Sequence, residues 1–438
     1  MFKNLSCRQK FFFYFRMRVR RLNALTTLSA PNKYSLFLHI TNAMNDLKRR
    51  NFLKLSGLSV LPAVLPNFNS KVSAQNPESK PAPMPGVVSF GDDGPFYEPA
   101  EYIAKLQEIN LPEPIKMDYY GRGGAVAKLT QKFAELTGKE ACIFMPSGTM
   151  ANQLAISVLA DENTKVFVQE TSHIYRDEGD SAQSVFNKRL IPVAQGEAYF
   201  TLAQLQEAVN YHNQGEVFRS GIGTIAIENP VRRNDGKHVP IDEIRKISAW
   251  CREKGYKLHL DGARIFLAMA VTGLSLKEYS SYFDTVYVSL YKYLGAAGGA
   301  VLCGDKKVIE PMEHLIKIHG GTAFSNWSNA AMALHHLNGL EERLKRTVTR
   351  ATSLFAEINR NGGVKIEAIP GGTNIYTMKL DASVDPSAFS KALADNSIML
   401  RAGKDVTQIR INETLLRQDN AQILKAFSAA MQAAKRRA

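Results

Sequence analysis

Tyr256-Lys257-Leu258-His259-Leu260-Asp261-Gly262-Ala263-Arg264 and Thr285-Val286-Tyr287-Val288-Ser289-Leu290-Tyr291-Lys292-Tyr293-Leu294-Gly295 are the two stretches whose reading decides the fold. Each opens on a short alternating, β-branched or apolar run and closes on turn residues, the pattern of a strand. The intervening Ile265 to Phe283 has the length of a single crossover helix, which predicts two parallel neighbours. Such neighbours deliver Asp261 and Lys292 to the same carboxyl edge of one sheet, where open α/β folds bind ligands. A carboxylate beside an amine is what pyridoxal phosphate chemistry requires. The lysine condenses with the cofactor aldehyde, and the carboxylate keeps the pyridine nitrogen protonated so that the ring can accept electrons. Leu290, Leu294, Gly295, Gly298 and Gly299 surround Lys292 with apolar and small residues, so burial is expected to lower its pKa.

A third segment fits the same chemistry. Ala141-Cys142-Ile143-Phe144-Met145 reads as a strand, followed by Pro146-Ser147-Gly148-Thr149 and a helical pattern from Met150 to Leu159. Hydroxyl residues and a glycine at a helix start make an anion site, because unpaired N–H groups and the helix dipole face the ligand. The plainer alternative is a turn in which Ser147 or Thr149 is only the N-cap.

With these segments in this order, the chain resembles the threonine aldolase and β-eliminating lyase group of fold-type-I pyridoxal phosphate enzymes. The matching pieces are Tyr120-Gly121 with the following helix, Ser147-Gly148-Thr149-Met150-Ala151-Asn152, Ser172-His173-Ile174, Ile227-Glu228-Asn229, the Asp261 and Lys292 segments, and Thr373-Asn374-Ile375. The resemblance implies pyridoxal 5′-phosphate as cofactor and no metal. It implies Ser147, Gly148, Thr149 and Arg264 as further cofactor ligands, and His173 stacked on the ring. It also implies Glu228, Asn229 and Tyr120 near an amino acid substrate, and a homodimer or homotetramer. The substrate carboxylate calls for an arginine fork. Arg401 and Arg410 are the candidates, and the family pattern favours Arg410.

Departures from the family concentrate on the substrate side. Pro230-Val231 stands where a hydroxyl-directed histidine is expected, Tyr291 where a serine precedes the lysine, and Gly91-Asp92-Asp93-Gly94 in place of an early Ser-Asp pair. Tyr119, Tyr291, Phe324 and Trp327 are candidates for a more aromatic pocket. The expected reaction is Cα–Cβ cleavage of a β-hydroxy amino acid to glycine and an aldehyde. The alternatives are β-elimination, transamination, and a secreted binding protein on the same scaffold.

The net charge of +14 suggests nucleic acid until it is located. Residues 1–74 carry thirteen of the Lys and Arg and a single acid, leaving the rest of the chain at +2. A near-neutral body argues against a polyphosphate partner. Lys48-Arg49-Arg50-Asn51-Phe52-Leu53-Lys54 resembles a twin-arginine export signal. It is followed by an apolar stretch too short for a membrane span and by Val72-Ser73-Ala74 as a cleavage site. These features predict a periplasmic protein without stable membrane insertion after cleavage. Met44 reads as the natural start, with 1–43 upstream of it. Cys142, Cys251 and Cys303 make neither a disulfide framework nor a metal spacing.

The expected organisation is therefore a leader over 1–74, then an N-terminal arm and a large doubly wound, mostly parallel α/β domain over 75–326 that includes a Pro-rich linker, 75–85. A smaller C-terminal α/β domain covers 327–438. Within it, one long helix from Ser328 to about Asn359 should precede a β-β-β-α tail.

Overall fold

A computed structural model describes residues 86–435. The twin-arginine segment, the cleavage site and the linker 75–85 lie outside the described residues. The strands, in chain order, are β1 (Val88–Ser89), β2 (Ala141–Met145), β3 (Lys165–Gln169), β4 (Arg189–Val193), β5 (Ile222–Glu228) and β6 (Lys257–Asp261). They continue with β7 (Thr285–Ser289), β8 (Ala300–Gly304), β9 (Val364–Ala368), β10 (Ile375–Leu380), β11 (Ile398–Met399) and β12 (Thr407–Arg410).

Seven of them form the central sheet in the order β2-β8-β7-β6-β5-β3-β4. Only β8 runs against its neighbours, pairing antiparallel with both β2 and β7; β3, β4, β5, β6 and β7 are mutually parallel. Helices cover both faces, so β3, β5, β7 and β8 are buried along their whole length. The expected α/β, mostly parallel sheet is what forms. Asp261 ends β6, and Lys292 lies in the loop that returns the chain from β7 to β8.

The described part of the C-terminal region builds a second apolar core around Phe355, Phe389, Ile409 and Phe427. Its sheet is β12-β10-β9, antiparallel throughout. The arm joins this core. β1 pairs in parallel with β11, Val88 and Phe90 are buried among its residues, and Arg410 N donates to Phe90 O at 2.7 Å. Both cores belong to one compact unit.

Three local expectations need correction. The crossover between β6 and β7 is two helices, Ile265–Thr272 and Leu276–Ser281, because Gly273 adopts φ 75° and Ser275 caps the second by accepting from Glu278 N. The long C-terminal helix is likewise two, Trp327–Leu337 and Leu340–Asn361, broken at Gly339 with φ 68°. Between β10 and β12 the chain adds a helix, Pro386–Ala394, capped by the Asp385 side chain, and then β11. The apolar residues of these pieces keep a helical or strand period, which hides the breaks.

Candidate active site

Asp261 and Tyr287 are register partners on adjacent parallel strands, and the chain then turns to place Lys292 over the same sheet edge. Lys292 is 5% exposed between the fully buried Leu290 and Leu294. Burial, reinforced by the Arg264 charge, pulls its amine down to about 8, while Asp261, Asp93 and Glu228 oppose the shift. Lys292 Nζ lies 5.4 Å from the centre of the Tyr291 ring. The arm crosses directly over this loop at Gly94, where any side chain would collide with the Lys292 carbonyl.

Asp261 is 1% exposed and fully engaged. Oδ1 accepts from Ala263 N at 3.1 Å and Oδ2 from Asn152 Nδ2 at 3.0 Å. His173 opens the short helix His173–Arg176 just beyond β3. Its Nδ1 lies 3.0 Å from Glu178 Oε1, a bond that raises the imidazole pKa against the effect of its partial burial. Burial in turn raises Glu178, helped by the nearby Asp261. Glu228 Oε2 accepts from His173 N at 2.7 Å and Oε1 from Arg232 N at 3.0 Å. Burial and Asp261 push Glu228 up to about 7. Three buried carboxylates and one half-buried histidine thus cluster beside Lys292.

The helix behind the anion loop begins two residues earlier than the pattern suggests, spanning Gly148–Ala160 with Ser147 as N-cap, accepting from Met150 N at 3.2 Å. The N–H groups of Gly148 and Thr149 precede the first intrahelical bond and have no partner along the helix. Gly148 packs against the Tyr287 hydroxyl with no room for a side chain, which seats the loop on β7.

Arg264 is buried and donates to Asp93 Oδ2 at 2.6 Å, while its Nε has no partner. So it is an ion-pair member within reach of the site. Arg410 is half-buried at the end of β12, and its charge acts on Asp93 and on the Tyr293 hydroxyl; Arg401 is exposed. Of the pair closing β5, Glu228 faces the site, whereas Asn229 turns away to accept from Val239 N at 2.9 Å. Tyr120 is half exposed. It packs edge-on against Phe324, under Lys317, and lines a cavity of about 820 Å3 with Tyr119, Arg122 and Pro146. Tyr291 lines another cavity, of about 480 Å3, with Phe96, Tyr102 and Ile103. Of the aromatic residues expected to form one pocket, Tyr119 lines the first cavity with Phe324 packed against it, Tyr291 lines the second, and Trp327 packs on the central core.

Residues 114–381 match the family described as beta-eliminating lyase. The chain belongs to this family. It is 33% identical to the low-specificity L-threonine aldolase of Candida albicans over 61% of this chain and 71% of the relative. It is 30% identical to the low specificity L-threonine aldolase of Saccharomyces cerevisiae over 74% and 83%. The fold of Leishmania major threonine aldolase superposes with a TM-score of 0.61 at 18% identity, covering 79% of this chain and 99% of that one. Beta-eliminating lyases use pyridoxal 5′-phosphate, and the residues here fit that group. A buried amine with a depressed pKa suits the aldehyde, and a buried carboxylate with fixed bonds suits the pyridine nitrogen. The loop at Gly148 and Thr149 suits the phosphate. The orphaned Ser289 Oγ, Tyr293 hydroxyl and Arg264 Nε are polar atoms at the same edge with donors to offer. Asp93 and Arg410 fall outside the family match.

Asn152, Glu178, His259 and Asp93 are site residues that sequence reasoning passed over. Two of them left a signal. Asn152 is a polar residue four positions after Gly148 on a mostly apolar helix, hence on the loop's face. His259 is two before Asp261, hence on the same face of β6.

Proposed function

We propose that this beta-eliminating lyase cleaves the Cα–Cβ bond of a β-hydroxy amino acid, releasing glycine and an aldehyde. The observation that carries the reading is Asp261 at the end of β6 and Lys292 in the loop that follows the adjacent parallel strand β7, with His173 held beside them by Glu178 and Glu228. Pyridoxal phosphate, once bound, supplies the electron sink. Every other task belongs to the chain. Lys292 Nζ, with its pKa near neutrality, accepts and returns a proton as substrate enters and leaves. Asp261 holds the proton on the ring nitrogen. His173 has Nδ1 committed to Glu178, so Nε2 is the nitrogen available to take the hydroxyl proton. Arg410, with Arg264 once Asp93 yields it, offers a fork to the substrate carboxylate. Leu290 and Leu294 exclude water.

Product analysis decides the reaction. The purified chain, loaded with pyridoxal phosphate, is given threonine, phenylserine and a β-substituted alanine. Glycine with stoichiometric aldehyde is the expected result. Pyruvate and ammonia from the substituted alanine, without glycine from the others, would replace the aldolase reading by β-elimination. That alternative has one specific support, Val231 standing where a hydroxyl-directed histidine is expected.

Two further readings are proposals. Exposed Met117, Tyr119, Tyr120 and Phe324 around the larger cavity support a homo-oligomer. Export by the twin-arginine route rests on Arg49-Arg50-Asn51-Phe52-Leu53 and predicts that replacing both arginines by lysine retains the protein in the cytoplasm.

A further inference from the structure

Asn152 is a fully buried amide one turn into the helix that carries the anion loop. Its Nδ2 lies 3.0 Å from Asp261 Oδ2 and 2.7 Å from Glu178 Oε1. Its Oδ1 lies 2.9 Å from His259 Nε2, and His259 Nδ1 lies 2.8 Å from Thr285 Oγ1. Carboxylates only accept, so the amide nitrogen has to face them, one hydrogen for each. That leaves Oδ1 an acceptor and puts the His259 proton on Nε2. The bare Nδ1 then takes the Thr285 hydroxyl hydrogen. The ring carries one proton, because burial pushes His259 down to about 4. The hydrogen bonds run in one direction, from Thr285 on β7 through His259 on β6 and Asn152 to the two carboxylates.

We propose that Asn152, oriented by His259, is a positioning residue that holds Asp261 and the Glu178–His173 pair in register with the cofactor ring. The inference rests on the assignment of Asp261 to the ring nitrogen. Acceptor atoms of Asp261, Glu178 and His173 all lie within 4.8 Å of one another. One amide separates the two carboxylates and satisfies both. Without it, buried like charges face each other and one takes a proton. Asp261 then loses part of the charge that binds the ring. The other charged or titratable groups facing Asp261 are Glu228 from β5, Tyr287 from β7 and Lys292. None of them donates to Oδ2, so none substitutes for the amide.

The test is the dissociation constant for pyridoxal phosphate, followed by the visible absorbance of the loaded protein from pH 6 to 9. The proteins are wild type, N152L, H259L, H259Q, D261A and N152L/D261A, each checked for folding by circular dichroism. Loss of a hydrogen bond to a charged group predicts roughly ten- to a hundred-fold weaker binding for N152L, with a displaced pH profile. H259L should follow it. H259Q should recover most of the affinity, because a glutamine amide nitrogen can replace Nε2 as donor. N152L should add nothing in the D261A background. Unchanged affinity and pH profile in folded N152L would overturn the proposal. So would an effect that persists without Asp261, or H259Q failing as badly as H259L. If N152L does not fold, the H259L and H259Q comparison decides. Wild type without a visible band would instead overturn the assignment of Asp261 and Lys292.

Discussion

Lys292 carries the most specific expectations. Borohydride reduction of the cofactor-loaded protein, followed by peptide mapping, should place the label on Lys292 and on no other lysine. Its amine titrates at about 8 when folded against an ordinary 10.5. Between those values the unfolded chain binds a proton that the folded one does not, so the cofactor-free protein should gain stability as pH rises from 8 to 10.5. The gain is at most roughly 3 kcal/mol. Urea denaturation at pH 7.5, 9 and 10.5 measures it, and Lys292→Met should lack this contribution while being more stable than wild type at pH 7.5. Tyr291, whose ring faces the amine at 5.4 Å, stands where the family has serine. Tyr291→Ser should move kcat/KM toward threonine and away from phenylserine by about five-fold or more, the worth of one hydrogen bond; an unchanged ratio would exclude it from the substrate pocket. Lys292 and Asp261 could be read from the chain because each closes its own apolar run. The position of Asn152 on the loop's face left a signal, but its role did not, because its partners Glu178 and Asp261 are 26 and 109 positions away. Long-range polar pairing leaves no period to detect.

Strands were easier to read than helices here, for a reason visible at Gly273 and Gly339. Helical periodicity in the sequence runs through both positions, and only a left-handed backbone ends the helix. Gly339→Ala, at φ 68°, should cost about 1 kcal/mol in chemical denaturation; a neutral result would mean that the break is not fixed by this residue. The N-terminal segment was legible as an arm but neither as a strand nor as a part of the second core, since its partner β11 comes more than 300 residues later. Phe90 shows what that pairing is worth. It is 2% exposed and packs its ring 6.1 Å from Phe355 and 6.4 Å from Phe427. Phe90→Ala should destabilise by about 3 to 5 kcal/mol. It should also raise KM, because Asp93 and the backbone partner of Arg410 lie on the same arm.

The two cores divide the labour of the described chain. The central sheet fixes Lys292, Asp261 and His173, while the smaller core supplies Arg410 and anchors the arm that carries Asp93. The fold class could be read because the parallel sheet imposes an alternation of strand and helix on the sequence. Asp261 and Lys292 were proposed together because their segments are neighbours in sequence, whereas nothing in the sequence brings the residues near 90 to those near 410, which meet only where the arm packs on the smaller core. A mass measurement in solution checks the homo-oligomer, and a monomer at micromolar concentration would remove it.

β1 is among the earliest described pieces of this chain to leave a ribosome, and its partner β11 is among the last. During synthesis the arm waits unpaired for the whole of the central sheet to be made. Asp93 and Gly94 cannot settle over Lys292 until residues near 398 have emerged. A nascent chain halted before that point would have its lysine and its aspartate but no finished roof above them, so competence to hold substrate arrives abruptly, once β11 is free to pair.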